Sequence, residues 1–144
     1  MKKITTKTAA ETQQIAHEVL SDLLSTAKKS SARILALSGD LGAGKTTFVQ
    51  GIARALDITE PITSPTFVLA NTYTANDKKL VHVDCYRLES AEDASILDFT
   101  QLFTDPEAIV CIEWPERIKD ILPKDARWIT FEYGEKSDER MITT

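Results

Sequence analysis

The sequence predicts an α/β domain of three layers, with a central, mainly parallel sheet and β-hairpin extensions. Two short, almost wholly apolar runs predict the sheet: Arg33 to Ser38 (RILALS) and Ala108 to Ile112 (AIVCI), each read as a strand buried on both faces. Helical patterns before and after the first run supply the outer layers, because strands and helices that alternate bury one another's apolar faces. At 144 residues, 42% hydrophobic and 27% charged, the chain suits one domain over residues 1–144 and hardly two.

Composition excludes several classes. No apolar run approaches the ~20 residues of a membrane helix, and nothing apolar follows Lys2 and Lys3, so no signal peptide is expected. Cys85 and Cys111 stand singly in apolar surroundings and match no metal or disulfide pattern, which suits a reducing, cytoplasmic compartment. The formal charge of −5 argues against direct nucleic-acid binding, whose affinity comes mainly from cations on phosphates. If the protein works on RNA, a partner does the holding.

The first element is expected to be a helix from about Ala9 to Lys28. Thr8 and Glu11 have capping-box spacing. Ile15, Val19 and Leu23 form one apolar stripe and Ala16, Leu20 and Leu24 the next, and Lys28 and Lys29 suit the negative end of the dipole. After the strand at Arg33 to Ser38 comes a glycine-containing loop. A second helix then runs from about Lys45 to Leu56, with Phe48, Ile52 and Leu56 a turn apart. Pro61 and Pro65 make Asp57 to Pro65 a loop. Phe67 to Thr74 and Lys79 to Asp84 read as a hairpin through Ala75-Asn76-Asp77, and Glu89 to Asp98 as a polar helix. Arg127 to Tyr133 and Arg140 to Thr143 alternate as a closing hairpin around Gly134.

Between the first strand and the second helix lies Gly39-Asp40-Leu41-Gly42-Ala43-Gly44-Lys45-Thr46. It fits G-x-x-x-x-G-K-[ST], the P-loop, in its required strand–loop–helix context. Glycines let successive backbone N–H groups curl inward at phosphate oxygens, and the helix adds its positive end. Lys45 reaches the β and γ phosphates, and the Thr46 hydroxyl is placed for Mg²⁺. The motif therefore predicts a P-loop NTPase-like fold that binds a nucleoside triphosphate. Two apolar runs end in acids, LVHVD at Asp84 and IVCIE at Glu113. Strand ends are where ligands collect in open α/β sheets, and spacing alone leaves open which acid meets the metal. Pro65 holds Ser64 extended, so Thr66 is presented from a loop where it can sense a γ-phosphate, although a plain turn has an equal claim. Arg87 is either a charge stabiliser or a surface partner of Glu89. Trp114 is expected near the metal site or the core, His17 exposed, and His82, Cys85 and Cys111 structural.

GDLGAGKTT (Gly39 to Thr47), SPTF (Ser64 to Phe67), HVDCYRL (His82 to Leu88) and IEWPER (Ile112 to Arg117) stand in the order seen in TsaE proteins. The chain resembles that family over nearly its whole length. The resemblance implies a small bacterial ATPase of the tRNA threonylcarbamoyladenosine pathway, using ATP and Mg²⁺. It matches Gly42, Ala43, Gly44, Lys45, Thr46 and Thr47 to the nucleotide-binding stretch. Lys45 falls on the phosphate-binding lysine, and Thr46 and Glu113 on the metal ligands. Asp84 matches an active-site acid, and Ser64 to Thr66 a switch-like loop. It also implies a partner, the tRNA threonylcarbamoyl-transferase complex of TsaD–TsaB type. That complex transfers the group and meets the tRNA, so the chain itself touches tRNA only indirectly and no membrane. The alternative is a P-loop small-molecule kinase. Such enzymes need an acceptor pocket and an arginine-rich lid to exclude water, and no insertion here clusters arginines. A GTPase is a third reading, but no N-K-x-D run reads guanine. Thr8 to Thr12 and the Gly134 to Ser137 turn are the segments expected to approach the base.

Overall fold

The structure, a computed structural model, describes residues 2–26, 30–65, 70–88 and 98–144. Seven strands of the described residues form one sheet: β1 (Lys3–Thr6), β2 (Arg33–Gly39), β3 (Ala70–Ala75), β4 (Lys78–Asp84), β5 (Ala108–Glu113), β6 (Arg127–Tyr133) and β7 (Arg140–Thr143). Their order across the sheet is β1-β7-β6-β2-β5-β4-β3. The four central strands, β6, β2, β5 and β4, run parallel, while β1, β7 and β3 pair antiparallel at the margins. The sheet is therefore mainly parallel at its centre, with hairpins at both sides.

Period-two alternation divides the strands between two cores. Leu35, Leu37, Leu80, Ile109 and Cys111 face one layer with Ile15, Phe48 and Ile52, the buried stripes of α1 (Ala9–Ser25) and α2 (Lys45–Ala55). Ile34, Val81, Val83, Val110 and Ile112 face the other. That side is covered by α3 (Phe99–Phe103) and a kinked 3₁₀ segment, Pro115–Ile121, whose Ile118 is fully buried.

Helix α1 and strand β1 depart from expectation, and parts of two other expected elements lie outside the described residues. Helix α1 ends at Ser25, and the expected Lys28 and Lys29 lie outside the described residues. The next strand supplies a cation at this end, where Arg33 donates to the Leu23 and Thr26 carbonyls. At the other end Glu11 N–H donates to Thr8 Oγ1 at 3.1 Å, but the returning Glu11 carboxylate takes the Lys7 N–H, at 2.6 Å, rather than that of Thr8. The predicted Phe67 to Thr74 strand is present from Ala70, its first residues lying outside the described residues, and the predicted Glu89 to Asp98 helix falls mostly outside them. Asp98 instead caps α3 by accepting from Gln101 N–H at 3.1 Å. Strand β1 was unpredicted, because KITT carries one large apolar residue and its pairing partner is the far end of the chain.

Candidate functional site

The sheet's carboxyl edge carries the site, because the four parallel strands all end there. Strand β2 runs into the phosphate loop at Gly39, whose φ is +155° and whose absent Cβ would come within 2.5 Å of the Phe131 carbonyl on β6. At Gly44 the chain turns through φ +106° into α2, with no side chain capping the helix. The first backbone N–H groups of α2 thus stay available to a phosphate, and the left-handed turn is one that only glycine adopts cheaply.

Lys45, Thr46, Asp84 and Glu113 meet in one cleft of about 410 Å³, together with Ser64 and Trp114. Strand register explains the meeting. Asp84 and Glu113 stand opposite one another on β4 and β5, and Glu113 stands beside Leu37 of β2. Thr46 Oγ1 donates to Glu113 Oε2 at 3.3 Å. Asp84 accepts from Tyr86 N–H at 2.9 Å and from Ser64 Oγ at 3.5 Å. Burial pushes the Asp84 carboxyl above its ordinary range, with the Glu113 charge adding to it and the Tyr86 N–H opposing. The Lys45 ammonium donates to the Gly39 carbonyl and lies 4.2 Å from the centre of the Trp114 ring. Burial lowers its proton affinity, and the charges of Glu113 and Asp84 partly restore it.

Trp114 reaches Lys45 from a left-handed backbone, φ 57° and ψ 48°. A non-glycine residue held there costs about 1–3 kcal/mol, and Pro115 starts the 3₁₀ segment immediately afterwards. The Tyr86 ring packs against the indole at 5.1 Å. Cys85 and Cys111 are buried, and burial pushes the Cys85 thiol up to about 12, so both are inert fillers as expected. His17 is exposed. Arg87 is exposed and does not line the cleft; its expected partner Glu89 lies outside the described residues, as does Thr66.

Sequence reasoning missed the hairpin's grip on the loop. Tyr133 Oη donates to the Leu41 carbonyl, and Arg140 Nε to the Gly42 carbonyl at 3.2 Å. The guanidinium stacks 4.7 Å from the Tyr133 ring. Nothing local marks these residues, since they act across the closing β6–β7 hairpin. A smaller recess of about 200 Å³ adjoins the loop, where Thr8, Ala9 and Thr12 meet Thr47, Asp138 and Arg140. The expected Thr8 to Thr12 segment is there. On the hairpin side the lining is Asp138 and Arg140, one residue beyond the expected Gly134 to Ser137 and further.

The comparisons with known proteins agree with this architecture. The family model described as "Threonylcarbamoyl adenosine biosynthesis protein TsaE" matches residues 6–142. The chain belongs to the TsaE family. Among relatives named tRNA threonylcarbamoyladenosine biosynthesis protein TsaE, that of Mycobacterium tuberculosis is 44% identical over 76% of this chain and 70% of its own length. The Nostoc protein is 48% identical over 62% of this chain, a match that takes in 56% of the Nostoc protein. Among solved structures, the crystal structure of Bacillus subtilis YdiB superposes with a TM-score of 0.77 at 31% identity, covering 98% of this chain and 82% of that one. TsaE membership puts the nucleotide-binding fold and the tRNA-modification setting on the same chain.

The donors suit magnesium. Thr46 and Glu113 offer hard oxygens in hydrogen-bond contact, with Asp84 beside them. Among the described residues there is no group of three or more His, Cys, Asp or Glu placed to hold an ion. Mg²⁺ is commonly bound through one or two protein ligands together with nucleotide phosphates. No described helix is long and apolar enough to cross a membrane.

Proposed function

We propose that the protein binds ATP with Mg²⁺ and hydrolyses it slowly, as a component of tRNA threonylcarbamoyladenosine biosynthesis that acts on the modification enzyme complex. The observation that carries this reading is the convergence of Lys45, Thr46, Asp84 and Glu113 on one cleft at the mouth of a P-loop, in a chain of the TsaE family. Lys45 leaves its contacts with Gly39 and Trp114 to meet the β and γ phosphates, while the N–H groups of Gly42 to Thr47 wrap the phosphate chain. Thr46 and Glu113 hold the metal, which supplies charge neutralisation on the transferring phosphoryl group. Asp84 orients the attacking water through its carboxylate, and Thr66, outside the described residues, is the residue assigned to sense the γ-phosphate. The recess between Thr8 and Arg140 takes the base.

Slow turnover alone follows from the described lining of the cleft, which holds no arginine. In GTPases an arginine supplied in trans raises turnover by about 10³–10⁵-fold. The partner fitting the family is a TsaD–TsaB-type transferase complex, through which tRNA is met indirectly. Steady-state phosphate release with and without that complex tests the reading. Slow release alone and a changed rate with the complex are expected. Fast release alone, indifferent to the complex, would instead favour a self-contained enzyme. The kinase alternative gains no support from the structure or the comparisons.

A further inference from the structure

His82 is fully buried in β4, between Val81 and Val83, which are buried too. A leucine would fill such a position without desolvating two ring nitrogens. Nε2 lies in hydrogen-bond contact with Glu113 Oε2, whereas Nδ1 has no partner among the described residues. A carboxylate accepts, so the contact is one in which His82 Nε2–H donates to Glu113 Oε2. The core therefore tolerates one orphaned nitrogen while aiming one donor at one carboxylate oxygen. Buried polar atoms left unpaired are rare, and each calls for a reason.

The register supplies that reason. His82 stands opposite Cys111 on β5, two residues before Glu113 and on the same face. Thr46 Oγ1 donates to the same Oε2, so two donors from two elements converge on one oxygen of a carboxylate that lines the cleft. We infer that His82 is a positioning residue for the metal ligand Glu113. Its Nε2–H locks the carboxylate beside Thr46, and a divalent cation arriving with nucleotide meets ligands already oriented. This rests on the magnesium reading above. Without the lock, Glu113 must lose side-chain freedom when the ion binds. Outer partners of metal ligands typically cost about 10–100-fold in metal affinity or activity when removed. Lys45 and the loop amides hold the phosphates independently, so binding of metal-free nucleotide does not need His82.

Calorimetric titration of ADP with and without Mg²⁺ measures how far the metal tightens binding. Wild type, His82→Gln and His82→Asn are compared, since a glutamine amide nitrogen reaches the place of Nε2 and an asparagine's stops near Nδ1. The tightening is expected to survive in His82→Gln and to fall about tenfold or more in His82→Asn, with metal-free ADP affinity unchanged in both. Unchanged tightening in His82→Asn, or a parallel fall in metal-free affinity, would overturn the inference. If Mg²⁺ fails to tighten ADP binding in wild type, the magnesium reading itself falls. Wild type also offers a measurement that needs no variant, because the chain has 2 histidines and His17 is exposed. In ¹⁵N-histidine-labelled protein with ADP, Mg²⁺ is expected to shift the His82 Nε2 resonance and not those of His17. No shift at His82 would equally overturn the inference.

Discussion

Asp84 and Glu113 end neighbouring parallel strands, face each other in register and are both buried. Their preceding runs are also alike, yet the protein surrounds the two carboxylates differently. Glu113 is met by side chains, a histidine ring from β4 and a threonine hydroxyl from α2. Asp84 is met mainly by the backbone N–H of its own turn and, more distantly, by Ser64 from the loop before β3. Glu113 is thus held from two elements, as a ligand that must not move would be. Asp84 keeps a carboxyl whose proton affinity burial has raised, which suits the water-orienting role proposed for it. Equal sequence signatures acquire different chemistry from what the fold packs beside them.

Removing the cation both acids share is expected to have the largest effect. Lys45→Ala deletes a charged donor to the phosphates, and such bonds contribute about 1.5–3 kcal/mol, equivalent to roughly a 10- to 100-fold loss of ATP affinity by calorimetry. Unchanged affinity would break the cradle assignment for both acids at once.

Glu113→Ala comes next and separates the two carboxylates. It is expected to abolish the Mg²⁺ enhancement of nucleotide binding and also to lower stability by about 1–3 kcal/mol, because His82 then has no partner at either ring nitrogen. Denaturant unfolding checks the second part. A fully stable variant would mean that the His82 contact carries no energy.

Asp84→Asn is expected to do the opposite to stability. A carboxyl with a raised folded-state pKa favours the protonated form in the folded protein. Its cost is absent at low pH, appears as pH rises through the unfolded value of 3.8 and is complete above the folded one. The amide still accepts from Tyr86 N–H, so the variant should be more stable at neutral pH, on the order of 1 kcal/mol, with the difference vanishing toward pH 3. Hydrolysis should fall at the same time. Thermal unfolding at the two pH values, with phosphate release, decides it; a variant less stable at neutral pH would reverse the assignment.

The same contrast bounds what could be read before the structure. The phosphate loop and the two acid-ended strands were legible because each is a local pattern, glycines at fixed spacing or an apolar run closed by a carboxylate. The burial of β2 and β5 on both faces was legible too, from their almost wholly apolar runs. What stayed hidden acts across long separations. Tyr133 and Arg140 grip the loop from the closing hairpin, and the contact of His82 Nε2 with Glu113 Oε2 joins two neighbouring strands. Arg33, a cation from the next strand at the carboxyl end of α1, was not marked by any local pattern either. The short α3 and the 3₁₀ segment carry too few residues to show a period.

The division of labour between the two acids can be seen directly in a crystal structure with Mn²⁺ and ADP, where anomalous scattering locates the ion without assumption. The ion is predicted in contact with Thr46 Oγ1 and the Glu113 carboxylate, with Nε2 of His82 behind Oε2 and Asp84 on the solvent side. An ion bonded to Asp84, with Glu113 turned away from it, would contradict the account.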